Sequence, residues 1–189
     1  MERGIDDKTI LDKFVMDFVK IIEKYVKYII VSGFVAIAHG RSRATEDIDM
    51  IIEKMSLIDF INLHKDLKQN NFVCMQSNNP KVIYESYLIR RDSVRYTREG
   101  ELVPEMEIKF AKDELDEEQI RTREKLELTG LDVYFSSVNM NIAFKEELLK
   151  SDKDLEDARH LRIIYSEKID ENEINKIKDK IRDLRLNER

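Results

Sequence analysis

A chain of 189 residues with 42% hydrophobic side chains can bury one sizeable core, and its 39 acidic against 33 basic residues, a net charge of −6, exclude a global basic field for capturing nucleic acid. One cysteine, Cys74, excludes an internal disulfide or a cysteine metal knuckle, and no apolar run reaches the ~18–20 residues of a membrane span. With an amino-terminal stretch that lacks a signal-peptide pattern, these features point to a cytoplasmic location.

From Asp6 to Val26, apolar residues recur at Ile10, Leu11, Phe14, Val15, Phe18, Val19, Ile22 and Tyr25, which predicts an amphipathic helix. Tyr28 to Val31 is an uninterrupted apolar run, as in a strand buried on both faces, and a short helix follows from Phe34 to His39, stopped by Gly40. Ile48 to Ile52 predicts a second strand, and Ser56 caps a third helix that buries Leu57, Phe60, Ile61, Leu63 and Leu67. Beyond the turn at Asn78 to Pro80, Lys81 to Ile89 reads as a short helix. Ser93 to Thr97 and Val103 to Phe110 flank Glu99-Gly100 as an antiparallel hairpin. Asp113 to Lys125 is a charged helix, and Leu126 to Leu128 with Leu131 to Phe135 form a small hairpin about Thr129-Gly130. Helices then cover Val138 to Lys150, Asp152 to Ile169 and Glu171 to Arg185. The fold class is therefore α/β (α+β), a mixed sheet flanked by helices over residues 1–137 with a C-terminal helical region over 138–189 packed on it.

Chemistry concentrates between Ser32 and Asp49. Alternation along a strand projects Asp47 and Asp49 to one side and Ile48 to the other, so two carboxylates converge and call for a hard divalent cation, Mg²⁺ or Mn²⁺. The Ser32-Gly33 turn ahead of a helix offers backbone N–H groups to a phosphate, and Arg41 and Arg43 supply positive charge for the remainder of a triphosphate. Together these parts suit metal-assisted phosphoryl or nucleotidyl transfer.

The segment Arg43-Ala44-Thr45-Glu46-Asp47-Ile48-Asp49 behind a small-residue turn resembles the signature of the nucleotidyltransferase superfamily with the polymerase-β-like fold, closest to the abortive-infection toxin and minimal branch. The resemblance implies a third carboxylate on a later strand: Glu107 in Val103 to Phe110 is the choice, with Glu105 and Asp132 as alternatives. A second match, Phe144-Lys145-Glu146 followed by Lys150-Ser151-Asp152-Lys153-Asp154-Leu155-Glu156-Asp157, is similar to the toxin branch's Lys and Lys-Asp-x-x-Asp motif. It implies that Lys145 contacts the triphosphate or incoming hydroxyl while Lys153, Asp154 and Asp157 shape the site; taken alone, Lys153 and Asp157 are an ordinary i, i+4 helix pair. The turn departs from the family in carrying Phe34 where a small or hydroxyl residue is usual, leaving phosphate to Ser32 or to backbone alone.

The activity implied is transfer of a nucleoside monophosphate from an NTP, with Mg²⁺ or Mn²⁺, to a hydroxyl acceptor: an RNA end such as that of tRNA, a protein side chain or a small molecule. The alternative is a weak or inactive nucleotide-sensing or interaction module of the same fold, such as one half of a toxin and antitoxin pair. Arg90, Arg91, Arg95 and Arg98 read as a basic cluster near the cleft, while His39, His64 and His160 lack metal spacing and read as helix-surface residues.

Overall fold

The computed structural model describes residues 8–41 and 47–187. Helix α1 spans Ile10–Ile22, and Thr9 caps it: its hydroxyl accepts from the Asp12 amide at 3.1 Å while the Asp12 carboxylate accepts from the Thr9 amide at 2.9 Å. Phe14, Val15, Phe18, Val19 and Ile22 form the buried stripe, whereas Ile10 lies exposed in the first turn and Tyr25 lies beyond the helix end. Strand β1 (Tyr28–Val31) leads through Ser32 into α2 (Gly33–Ala38), and β2 covers Asp47–Ile52. Next come α3 (Leu57–Gln69), β3 (Phe72–Cys74), α4 (Pro80–Ser86), β4 (Val94–Arg98) and β5 (Glu105–Phe110). Then α5 (Glu114–Arg121), β6 (Glu124–Lys125) and β7 (Tyr134–Phe135) precede the helices α6 (Val138–Phe144), α7 (Asp152–Ile164) and α8 (Glu171–Ile181).

The strands form one mixed sheet in the order β3-β4-β5-β2-β1-β7-β6, with β2 parallel to β5, β1 parallel to β7, and the other neighbours antiparallel. Its register decides where chemistry can occur. On one face Tyr28, Ile30, Ile48, Met50, Met106, Ile108, Val94 and Tyr96 join the main core, with the Phe72 ring edge to face against Phe14 and Phe18. On the other face Ile29, Ile51, Ala111 and Ile120 form a second, small apolar cluster, while Asp47, Asp49, Glu105, Glu107 and Lys109 occupy the same face of β2 and β5. That division follows directly from the period-two pattern of the two strands.

Several expected elements differ in extent. The hairpin about Thr129-Gly130 is reduced to two-residue strands, Glu124–Lys125 and Tyr134–Phe135, because the chain between them makes a 3₁₀ turn at Glu127–Thr129 and drops Leu126, Leu131 and Val133 into the core. The expected helix over Val138 to Lys150 is α6 followed by a π turn at Lys145–Leu149, and Lys150 ends it in the left-handed region at φ 56°. Leu161, Tyr165, Ile174, Ile177 and Ile181 of the C-terminal helices belong to the same apolar cluster as the sheet.

Phe34 is fully buried, with its ring stacked on Phe135 at 6.4 Å. Its side chain is part of the core, where such burial contributes about 1.5–3 kcal/mol, so its bulk in the turn does not crowd the acidic face. His39 and His64 are buried rather than on helix surfaces. His39 Nδ1 lies 2.6 Å from the Val35 carbonyl and Nε2 lies 2.6 Å from the Tyr165 hydroxyl, a pairing that puts the proton on Nδ1 and makes Nε2 the acceptor. Burial of Tyr165 pushes its phenol up to about 12, keeping it a donor at neutral pH. His64 Nδ1 meets the Tyr96 hydroxyl at 2.8 Å, and burial lowers the pKa of the ring. In both cases an apolar helix face leaves the ring nowhere to go but inward.

Candidate active site

Pairing across the sheet sets the acids in rows. Val31 of β1 faces Asp49, Asp49 faces Glu107, and Glu107 faces Arg95 of β4; one step along, Asp47 faces Glu105. Glu107 is thus the direct neighbour of Asp49, and Glu105 that of Asp47. Asp132, the other alternative, sits ahead of β7 on the far side of β1, largely exposed and paired with Lys125, and does not join them.

Electrostatics show how crowded this face is. Burial foremost holds the Asp49 carboxyl above its usual range, and repulsion from Glu107 and Asp47 adds to it; Lys109 and a hydrogen bond from the Ser32 hydroxyl pull the other way. Glu105 is raised by burial and by the neighbouring Asp47, against the opposing pull of Arg95. The Arg95 guanidinium Nε stands 3.1 Å from Glu107 Oε2 and 3.5 Å from Glu105 Oε2. Among the described residues no three His, Cys, Asp or Glu groups lie close enough together to hold a metal ion as they stand. The carboxylate set of Asp47, Asp49 and Glu107 nevertheless suits a hard divalent cation, because all three project from one face of neighbouring strands.

Ser32 is the strained element of the turn. It adopts φ 67° and ψ −139°, a conformation glycine takes readily and other residues hold at a cost of about 1–3 kcal/mol. The left-handed backbone of this turn thus falls on Ser32, the residue ahead of Gly33. Ser32→Gly is accordingly expected to raise Tm in thermal denaturation while weakening whatever Asp49 binds; a lower Tm would show that the bond to Asp49 outweighs the backbone strain.

A cleft of about 220 Å³ opens beside Asp49, between this sheet face and the C-terminal helices, and Ser32, Lys109, Lys112, Lys145 and Arg185 line it. Arg185 is engaged by Asp113 at 2.9 Å and Asp116 at 2.6 Å, which ties the end of the chain to α5. Lys109 and Lys112 make no ion pair within 4 Å among the described residues, and burial together with the nearby Arg185 lowers the pKa of Lys112. The cleft is smaller than the ~300–1,000 Å³ typical of whole-ligand pockets, so it fits a phosphate group rather than an entire nucleotide. A larger hollow of about 470 Å³ between the β6–β7 connection and the end of α7 holds none of the residues singled out from the sequence.

The second motif folds inward. Lys145, at the start of the π turn, is only 1% exposed; its Nζ lies 2.9 Å from Asp157 Oδ2 and 3.5 Å from Asp154 Oδ1. Asp157 is fully buried and also accepts from Arg41, which in addition pairs with Glu156 and donates to the Lys153 carbonyl at 3.0 Å. Arg41 thus clasps α7 and does not extend toward the acids. The Lys153 side chain is exposed. Arg43 lies outside the described residues. The four arginines expected to cluster are separated by the fold. Arg95 sits on the acids, and Arg98 lies over the Phe72 ring at 4.3 Å, paired with Asp17 of α1 on the opposite face. Arg90 and Arg91 occupy the turn that leads into β4, toward the Ile108 end of β5 and away from Glu105.

Among the described residues no helix is long and apolar enough to cross a membrane. No family model and no curated protein sequence matches the chain. Solved structures do. The antibiotic-resistance factor ANT(2'')-Ia, whose solution structure is described for substrate-regulated conformation dynamics, aligns over 91% of this chain and 93% of its own, with a TM-score of 0.51 and 14% identity. An antigenic nucleotidyltransferase-like protein from Paracoccidioides brasiliensis aligns over 98% of this chain and 92% of its own, with a TM-score of 0.53 and 17% identity. With its seven-stranded mixed sheet flanked by helices, the chain has the nucleotidyltransferase fold.

Proposed function

We propose that the protein transfers a nucleoside monophosphate from an NTP to a hydroxyl acceptor, with Mg²⁺ or Mn²⁺ held by Asp47, Asp49 and Glu107. The observation that supports this reading is the register pairing of Asp49 with Glu107, a further carboxylate on the face that opens into a cationic cleft. Bound there, the metal would supply Lewis-acid stabilisation of phosphate charge. The Ser32 hydroxyl favours the charged form of Asp49, and Lys109, Lys112 and Lys145 provide positive charge for the phosphates in the cleft. The acceptor oxygen attacks the α-phosphorus, the bond to the β-phosphate oxygen breaks, pyrophosphate leaves, and the acceptor's proton passes to Glu107. The acceptor is an RNA end, a protein side chain or a small molecule. Separation of the four arginines removes the concentrated basic patch that would have favoured RNA.

The test is transfer of label from each of the four α-labelled NTPs to protein or RNA in the presence of Mg²⁺, with Asp47→Ala as control. Label transfer that disappears in Asp47→Ala is the expected result. A second reading, a nucleotide-sensing module of a toxin and antitoxin pair, draws on the engagement of Glu107 by Arg95. It predicts nucleotide binding with no label transferred.

A further inference from the structure

Arg95 is a charged group that the proposed transfer does not use, and the register sets it at the end of the acid row, against Glu107 and Glu105. Its backbone is pinned: it lies in the β4–β5 ladder, its N–H donates to Gln76 Oε1 at 2.9 Å, and its carbonyl accepts from the Met75 amide at 2.8 Å. Only the side chain can move. That side chain is 45% exposed, whereas those of Glu107 and Glu105 are 20% and 13% exposed. The acids are largely buried and the cation is not. We infer that Arg95 is the resident counter-cation of the acid face, holding Glu107 and Glu105 in the metal-free protein and released from them when a divalent cation binds at Asp49 and Glu107.

The inference rests on the metal reading given above. Guanidinium stays charged at every accessible pH, so it can leave the acids only by swinging away, and the stem of Arg95 has solvent to swing into. Lys109, another cation of this face, sits on β5 two residues beyond Glu107, lines the cleft and acts on Asp49. Metal entry is therefore an exchange of one cation for another. In the protein as described, Glu107 is engaged by Arg95.

The experiment is calorimetric titration of Mn²⁺ alone into the full chain as wild type, Arg95→Gln, Arg95→Lys and Asp49→Asn, with thermal melts to confirm folding. Removing a unit charge that competes with a dication at contact distance is expected to tighten Mn²⁺ binding in Arg95→Gln by about tenfold, with Arg95→Lys close to wild type and Asp49→Asn binding lost. Arg95→Gln binding no more tightly than wild type, with Asp49→Asn still defective, overturns the inference and leaves the metal reading intact. Arg95→Lys binding as tightly as Arg95→Gln also overturns it, because charge would then not be the cause. Unchanged Mn²⁺ binding in Asp49→Asn overturns both.

Discussion

Asp49→Asn is expected to lower nucleotidyl transfer at least about a thousandfold, equivalent to ~4 kcal/mol of transition-state stabilisation, while making the metal-free protein more resistant to heat. The two effects share one cause. Asp49 sits where burial and the neighbouring Glu107 and Asp47 disfavour its charge, so its folded pKa lies above its unfolded value. A carboxyl raised in this way contributes stability that is present below the unfolded pKa and lost as pH rises through the folded one. The wild type loses that contribution as pH rises through the raised pKa, and the neutral amide avoids the loss. Thermal melts between pH 4 and pH 7 test the sign: the gap between variant and wild type should widen with pH and close when Mn²⁺ is added to the wild type. A variant less stable than wild type at pH 7 would show that the Ser32 bond and Lys109 outweigh desolvation.

The other large effect belongs to Lys145. Truncation to Met leaves Asp157 buried and deprived of its lysine partner, and breaking a pair of this kind costs about 3–5 kcal/mol. For a chain of this size the corresponding fall in Tm is about 6–20 °C. Low activity in Lys145→Met alone would thus be uninformative, so the decisive protein is Lys145→Met combined with Asp157→Asn, which removes both charges and keeps an amide acceptor for Arg41. Stability is expected to return substantially while transfer stays low, since Lys145 also lines the cleft beside Asp49. Recovery of transfer together with stability would restrict the pair to a structural role.

Legibility of this site in the sequence was uneven, for identifiable reasons. Strand alternation alone puts Asp47 and Asp49 on one face and Ile48 and Met50 on the other, and the same rule applied to Glu105 to Phe110 separates Glu105, Glu107 and Lys109 from Met106, Ile108 and Phe110. Asp132 could not be separated from Glu107 in that way, because choosing between them requires knowing that β5, and not β7, lies beside β2. The burial of His39 and His64 has no signal in the sequence, because a tyrosine from another element meets each ring, Tyr165 at His39 and Tyr96 at His64. Arg41 was read as a phosphate ligand on proximity in sequence, whereas Asp157, 116 residues away along the chain, holds it.

What the sequence determined by itself is local: which residues alternate, which turn carries a small hydroxyl, and which strand begins with two carboxylates. Those properties depend on neighbours a few residues apart and on backbone periods of 2 and 3.6. What only the tertiary structure decided is pairwise and long-range. It seats Phe34 on Phe135 and away from the acidic face, sets Glu107 beside Asp49, and brings Arg95 from a third strand onto both glutamates. Strand order and register create these neighbours, and a charge is read differently once its neighbours are known. Asp-Ile-Asp announces a cation site, and the sheet adds the arginine with which that cation would have to exchange.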